Sequence, residues 1–166
     1  LGELAMHKLD AVLADRPAPP NPALKTNSQL LGTSAIAWYA PARWAQAARA
    51  NFPYSLAQVP LLLPTEHAAV RARINHWLER EHIRPHIAGE FEDSALLSTF
   101  AASGMGVMPA PASLGAHLAQ TCALEWVGTT PDVHEQFHLI YSARKVMHPL
   151  LTRLLAAAAD EMLLNE

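Results

Sequence analysis

Apolar positions along this chain follow two rhythms. In TEHAAVRARINHWLEREHI (65–83), Val70, Ile74, Trp77 and Leu78 fall at i, i+4, i+7 and i+8, one continuous stripe that predicts a helix. Thr65 stands where an N-cap is expected, Glu66 falls in the first turn, and Pro85 lies past the end. Short apolar runs bounded by turn residues predict buried strands instead: LDAVLAD (9–15) and VPLLLP (59–64). RPHIAGEF (84–91), MGVMPA (105–110) and ALEWVG (123–128) read as further strands.

The remaining segments fill in between. Residues 1–8 read as the end of a helix, and RPAPPNP (16–22) as a loop, because proline fits neither helix interiors nor central strands. Residues 23–40 read as two extended segments broken at Gly32. A helix is expected over 41–52, with Pro41 in its first turn. Leu96, Leu97, Phe100 and Ala101 mark another, with Asp93 or Ser94 as N-cap and Gly104 as the residue after its end. Residues 111–120 and 148–164 complete the helices, the last opened by Pro149. Strands alternating with helices imply an α/β fold with a mostly parallel sheet covered on both faces. Ligands of such sheets bind beyond the carboxyl ends of strands, where helices begin. Residues 65–66 and 92–94 occupy two such junctions.

At the second junction Glu90, Glu92 and Asp93 crowd three carboxylates into four positions. Helix capping accounts for Asp93 or Ser94, but three adjacent charges exceed what a cap requires. The excess calls for a cation or a cationic partner group.

Composition narrows the classes. The chain has 166 residues, 51% hydrophobic and 16% charged, which favours a folded core over disorder. A net charge of -3 supplies no electrostatic footprint for nucleic acid. The single cysteine, Cys122, excludes an internal disulfide and fits a reducing compartment. No apolar run is long enough to span a membrane, and the first residues do not read as a signal peptide. They read as the middle of a domain, so the chain is expected to be part of a longer protein.

HEQFH (134–138) matches the HExxH pattern, in which His134 and His138 would hold zinc and Glu135 would act as base. That chemistry needs a helix, which sets the two histidines one turn apart on one face. This segment reads as a strand, with Phe137, Leu139 and Tyr141 alternating on one side. On a strand, four residues separate the histidines by about 13 Å, too far for one ion. Glu161, on the terminal helix, is a distant candidate for a third ligand and reads equally well as an exposed charge. GMG (104–106) is too short for a nucleotide loop, no serine lies in a GxSxG elbow, and Cys122 has no activating charge beside it. Trp77 belongs to the core by its stripe, and packing is the better reading of Trp38. No catalytic set emerges, and the chain does not read as an enzyme.

HKLDAVLADRP (7–17), the block from LLLPTE through GEFEDSALLSTFAASGMGVMPAP (61–111) and HEQFHLIYSARKVMHPLL (134–151) resemble the effector-binding domain of LysR-type transcriptional regulators. Within that family they are most similar to the sodium-responsive activators of a sodium/proton antiporter. The resemblance implies a type-2 periplasmic-binding-protein-like fold, with two lobes joined by two crossing segments. Lobe I would comprise 1–33 plus 143–166, lobe II 41–134, and the crossings 34–40 and 135–142. Lobe I would be incomplete, lacking its first strand, helix and second strand, which leaves it distorted, swapped between copies or short of sequence. The implied effector site is lined by Asp15, Ser34, Thr65, Glu66, Glu92, Asp93 and Ser94. The effector would be a small molecule or an ion, sodium included, since hard oxygen donors suit hard cations. No cofactor or resident metal is implied. DNA would be reached only through a winged helix-turn-helix outside this chain, in a cytoplasmic, homo-oligomeric regulator that does not touch a membrane. The rival readings are a solute-binding protein of a transport system and, behind it, a zinc peptidase.

Overall fold

The computed structural model describes residues 1–6, 8–22, 25–142 and 149–163, with side chains to 157. The expected resumption of lobe I at 143–148 and the ends of the last helix at 148 and 164 lie outside the described residues. The chain divides into two compact units, Ser34–Glu135 and Leu1–Thr33 with Gln136–Glu166.

The first of these holds most of the core. It contains the ends of two long strands, β2 (Thr26–Ala40) and β6 (Glu125–Ser142), each of which passes between the units. Between them run α2 (Ala42–Arg49), β3 (Pro60–Pro64), α3 (Ala69–Arg80), β4 (His86–Phe91), α4 (Ser94–Ala102), β5 (Met108–Pro111) and α5 (Gly115–Cys122). β2 shows why the fold is layered. Ile36, Trp38 and Ala40 point to one face, where they pack with Ala45 and Ala48 of α2 and with Val70, Ile74 and Trp77 of α3. Ala37 and Tyr39 point to the other, against Leu97 and Ala101 of α4 and Leu118 of α5. The two-residue period of a strand thus serves two helical layers. The 65–83 stripe behaves as its spacing predicts: Val70, Ile74, Trp77 and Leu78 are all buried. Trp38 is fully buried, and its indole Nε1 donates to Thr130 Oγ1 at 3.1 Å, so it lines no cleft.

Pairing is mixed rather than mostly parallel. β3 and β4 run parallel, and Leu61 bridges Val107 in the same sense. β2 and β5 are antiparallel, with Trp38 opposite Pro109. The antiparallel partner arises because β2 enters this unit from outside it, rather than through a helix crossover. Gly106 makes the parallel contact close: a Cβ there would lie 2.5 Å from the Pro60 carbonyl oxygen.

The second unit contributes α1 (Gly2–Ala5), β1 (Ala11–Ala14) and α6 (Pro149–Leu163). β1 pairs antiparallel with β6, Leu13 opposite Leu139. Leu4, Leu139, Ile140 and Leu155 are its buried apolar residues among those described.

Several local expectations change. Gly32 breaks nothing: β2 is continuous from Thr26 to Ala40. Pro41 is the N-cap of α2, one position before the first turn. β5 and α5 start later than the sequence suggests, and a 3-10 turn at Ala112–Leu114 links them. Of the strand expected at 123–128, residues 125–128 open the much longer β6. No described helix is long and apolar enough to cross a membrane.

Candidate functional site

The two strand-to-helix junctions lie side by side because β3 and β4 are parallel neighbours, ending with Pro64 opposite Phe91. The Thr65 amide extends the ladder by donating to the Phe91 carbonyl at 3.0 Å. Thr65, Glu66, Glu90, Glu92, Asp93 and Ser94 are therefore gathered at the carboxyl ends of adjacent strands.

Thr65 does not cap α3. The helix begins four residues later, at Ala69, with Ala68 as an N-cap that makes no side-chain bond. Residues 65–68 form a turn closed by the Ala68 amide donating to the Thr65 carbonyl at 3.1 Å. Glu66 is thereby moved out of the first turn, and its carboxylate meets Arg71.

Arg71 is the cationic group that the acidic cluster demands. It is 3% exposed, and its guanidinium is engaged at every nitrogen. Nε donates to Asn75 Oδ1 at 2.9 Å, and Nη2 pairs with Glu66 Oε1 at 3.0 Å. Nη1 is shared between the Pro64 carbonyl and Glu90 Oε1, each at 2.5 Å. Asn75 Nδ2 closes the ring by donating to Glu66 Oε1 at 3.2 Å. One buried cation thus joins the end of β3, the turn, β4 and α3, with Glu66 and Glu90 as its solvent-facing counter-ions. Sequence reasoning missed Arg71, although a signal was present. Arg71, Ile74 and Leu78 recur at i, i+3 and i+7, which puts the arginine on the buried face, and a buried cation needs carboxylates nearby.

Asp93 is the N-cap of α4: Oδ1 accepts from the Leu96 amide at 2.9 Å. Ser94 is the first helical residue, and it and Glu92 are exposed. Gly104, at φ +97°, follows the end of α4 as expected, in a conformation that L side chains rarely adopt. Ser34 makes its described bonds to residues outside this group. Its Oγ accepts from the Ser113 amide at 3.2 Å and contacts the Ala35 carbonyl at 3.3 Å. Asp15 belongs to the other unit, where its carboxylate pairs with Arg16 at 2.9 Å. That hydrogen bond and charge raise the Arg16 pKa.

HEQFH lies within β6, extended as its pattern predicts. His134 is exposed and His138 buried. Phe137 is 38% exposed, so the apolar side of the segment is not the buried one throughout. The helix that HExxH zinc chemistry requires is missing. Among the described residues, no three of His, Cys, Asp and Glu come together as a metal site.

The chain is similar to known proteins in sequence and in fold. A family model for the LysR substrate binding domain matches residues 1–163. The transcriptional activator protein NhaR of Escherichia coli K12 is 24% identical over 154 residues, 93% of this chain and 50% of the relative. The nitrogen assimilation regulatory protein nac of the same organism is 30% identical over 113 residues, 67% of this chain and 35% of the relative. The chain thus spans about half the length, or less, of the curated relatives it matches. Among solved structures, the Synechocystis PCC6803 CcmR regulatory domain, in complex with 2-PG, superposes with a TM-score of 0.69 at 13% identity. That match covers 95% of this chain and 77% of the CcmR domain.

Proposed function

We propose, for a chain that belongs to the LysR substrate binding domain family, that it is the effector-sensing part of a LysR-type transcriptional regulator. The observation that carries this reading is the family match along residues 1–163. The division into two units with β2 and β6 passing between them supports it. In this reading the units are the two lobes, with 34–40 and 135–142 as the crossings. A small molecule or an ion binds between the lobes and favours one arrangement by differential affinity, and that shift reorients a DNA-binding winged helix-turn-helix carried elsewhere in a cytoplasmic, homo-oligomeric regulator.

The proposed contacts are Asp15, Ser34, Thr65, Glu66, Glu92, Asp93 and Ser94. Their environments divide the work. Glu66 is held by Arg71, and one oxygen of Asp93 by the cap of α4. The Thr65 hydroxyl, Glu92 and the second Asp93 oxygen are the donors that reach an effector without dismantling the turn. If the effector is Na⁺, these hard oxygens are its ligands.

The test uses the full-length regulator on its own promoter DNA, with NaCl exchanged for KCl at fixed ionic strength and occupancy read by footprinting. A sodium-dependent footprint that Glu92→Ala and Asp93→Asn each weaken about fivefold or more is expected for first-sphere carboxylates. Asp93→Asn keeps an N-cap while removing the charge. A sodium response that neither variant alters removes the acidic turn from the site. A protein that binds no promoter DNA at all overturns the regulator reading.

A further inference from the structure

A cavity of about 590 Å³ opens in the unit Ser34–Glu135 and uses none of the residues just named. Its volume falls within the range of small-molecule sites. α5 supplies one wall through Gly115, Ala119 and Ala123, which project nothing larger than a methyl group. Ala123, at φ +51°, is the C-cap of α5, and Leu124 and Trp126 beyond it also line the cavity.

Tyr39 marks this as a built site rather than a gap between elements. The residue is 2% exposed, lines the cavity, and its hydroxyl has no hydrogen-bond partner among the described residues. Gly115 leaves the room around that oxygen, since a Cβ there would lie 2.9 Å from it. Burial also raises the phenol's pKa above 10.0, so at neutral pH it remains an O–H donor. The hydroxyl oxygen reaches solvent through the cavity, where a bound acceptor would take the place of water. At the mouth, Trp126 is 56% exposed and oriented by its Nε1 donating to Thr129 Oγ1 at 3.2 Å. Beside it Arg49 pairs with Glu125 at 2.8 Å and donates through Nε to the Trp126 carbonyl at 2.8 Å. The rim therefore carries no net charge.

We propose that this cavity is a second ligand site, taking a small uncharged aromatic molecule that stacks on Trp126 and offers a hydrogen-bond acceptor to the Tyr39 hydroxyl. The donor selects for an acceptor, the indole for a flat ring, and the self-paired rim against a charge. The site does not depend on the effector reading.

Quinoline, two fused rings with one acceptor nitrogen, is the probe, titrated into the 166-residue chain at pH 7.5 by calorimetry and saturation-transfer NMR. Saturable binding tighter than about 10 mM is expected. Tyr39→Phe should weaken it about fivefold by deleting the hydrogen bond. Ala119→Leu, at an exposed helix position, should block the cavity and abolish binding without changing the circular dichroism spectrum. The carboxylate analogue 2-naphthoate should bind more weakly than quinoline. Absence of saturation, or binding unchanged by both variants, overturns the site. Tighter binding of 2-naphthoate overturns the uncharged class. A self-associated chain that Trp126→Ala makes monomeric in sedimentation shows the cavity to be a contact between copies, and overturns the proposal as well.

Discussion

Arg71 inverts the usual accounting of an ion pair. Its side chain is 4% exposed, whereas those of Glu66 and Glu90 are 65% and 45% exposed. Removing the arginine leaves two carboxylates that water can rehydrate, and a methionine of similar length refills the apolar space. Removing the carboxylates leaves a guanidinium in the interior without counter-charge, the more expensive fault. Arg71→Met is therefore expected to cost about 1–2 kcal/mol in urea unfolding, and Glu66→Gln with Glu90→Gln about 3 kcal/mol. Equal costs would mean that the network is held by solvent-exposed attraction alone. His138 presents the opposite case. It is 9% exposed; among the described residues its Nδ1 has no partner and its Nε2 reaches Gln136 Oε1 at 3.4 Å. His138→Leu should stabilise the chain by about 1 kcal/mol, because an unmatched buried polar atom is replaced by an apolar one. The Tyr39 phenol adds a pH dependence. Desolvation raises its pKa in the folded chain, so the unfolded chain ionises first. Stability is whole below about pH 10 and falls as pH rises through the folded value. Tyr39→Phe should lessen that alkaline loss in melts followed from pH 8 upward.

Elements whose signal is local were legible in the sequence. The α3 stripe, the Asp93 cap, Gly104 after α4 and the extended HEQFH each follow from a pattern a few residues wide, and each is present in the structure. What failed needed distant partners. Thr65 matched a cap by position, but the ladder bond to Phe91 and the pull of Arg71 on Glu66 delay the helix to Ala69. Gly32 reads as a break by composition, yet β2 runs through it, and tertiary pairing outweighs the low strand propensity of one glycine. The acidic turn was legible as an anomaly, while its answer lay in an arginine that only helix phase could have flagged. Gly106 carries the same lesson in stability. Its sequence context shows a small residue before a strand, whereas the structure shows the backbone of β3 where a side chain would go. Gly106→Ala meets a carbonyl oxygen rather than a movable side-chain tip. A loss of about 2 kcal/mol is expected, measured by chemical denaturation.

Across the whole molecule the apolar burial is uneven. In Ser34–Glu135 two clusters sandwich the strands, one under α2 and α3 and one under α4 and α5, and both strand faces are covered. In the other unit the buried apolar residues among those described are Leu4, Leu139, Ile140 and Leu155, while Leu13 of β1 is 69% exposed. Among the described residues β1 is also the outermost strand of its sheet, in the order β1-β6-β2-β5, so one of its edges pairs with no described strand. Local opening is cheapest where buried contacts are few and backbone bonds face water. Native-state hydrogen exchange should therefore find the amides of β1 exchanging through local opening, at least about tenfold faster than those of β3. Limited proteolysis should cut first in the proline-rich segment 16–22, while the interior of the span 34–135 resists. Exchange of β1 and β3 at one common rate would mean that the two units open together, as a single cooperative body. In that case the two-unit division would describe where residues pack, without describing how the chain yields.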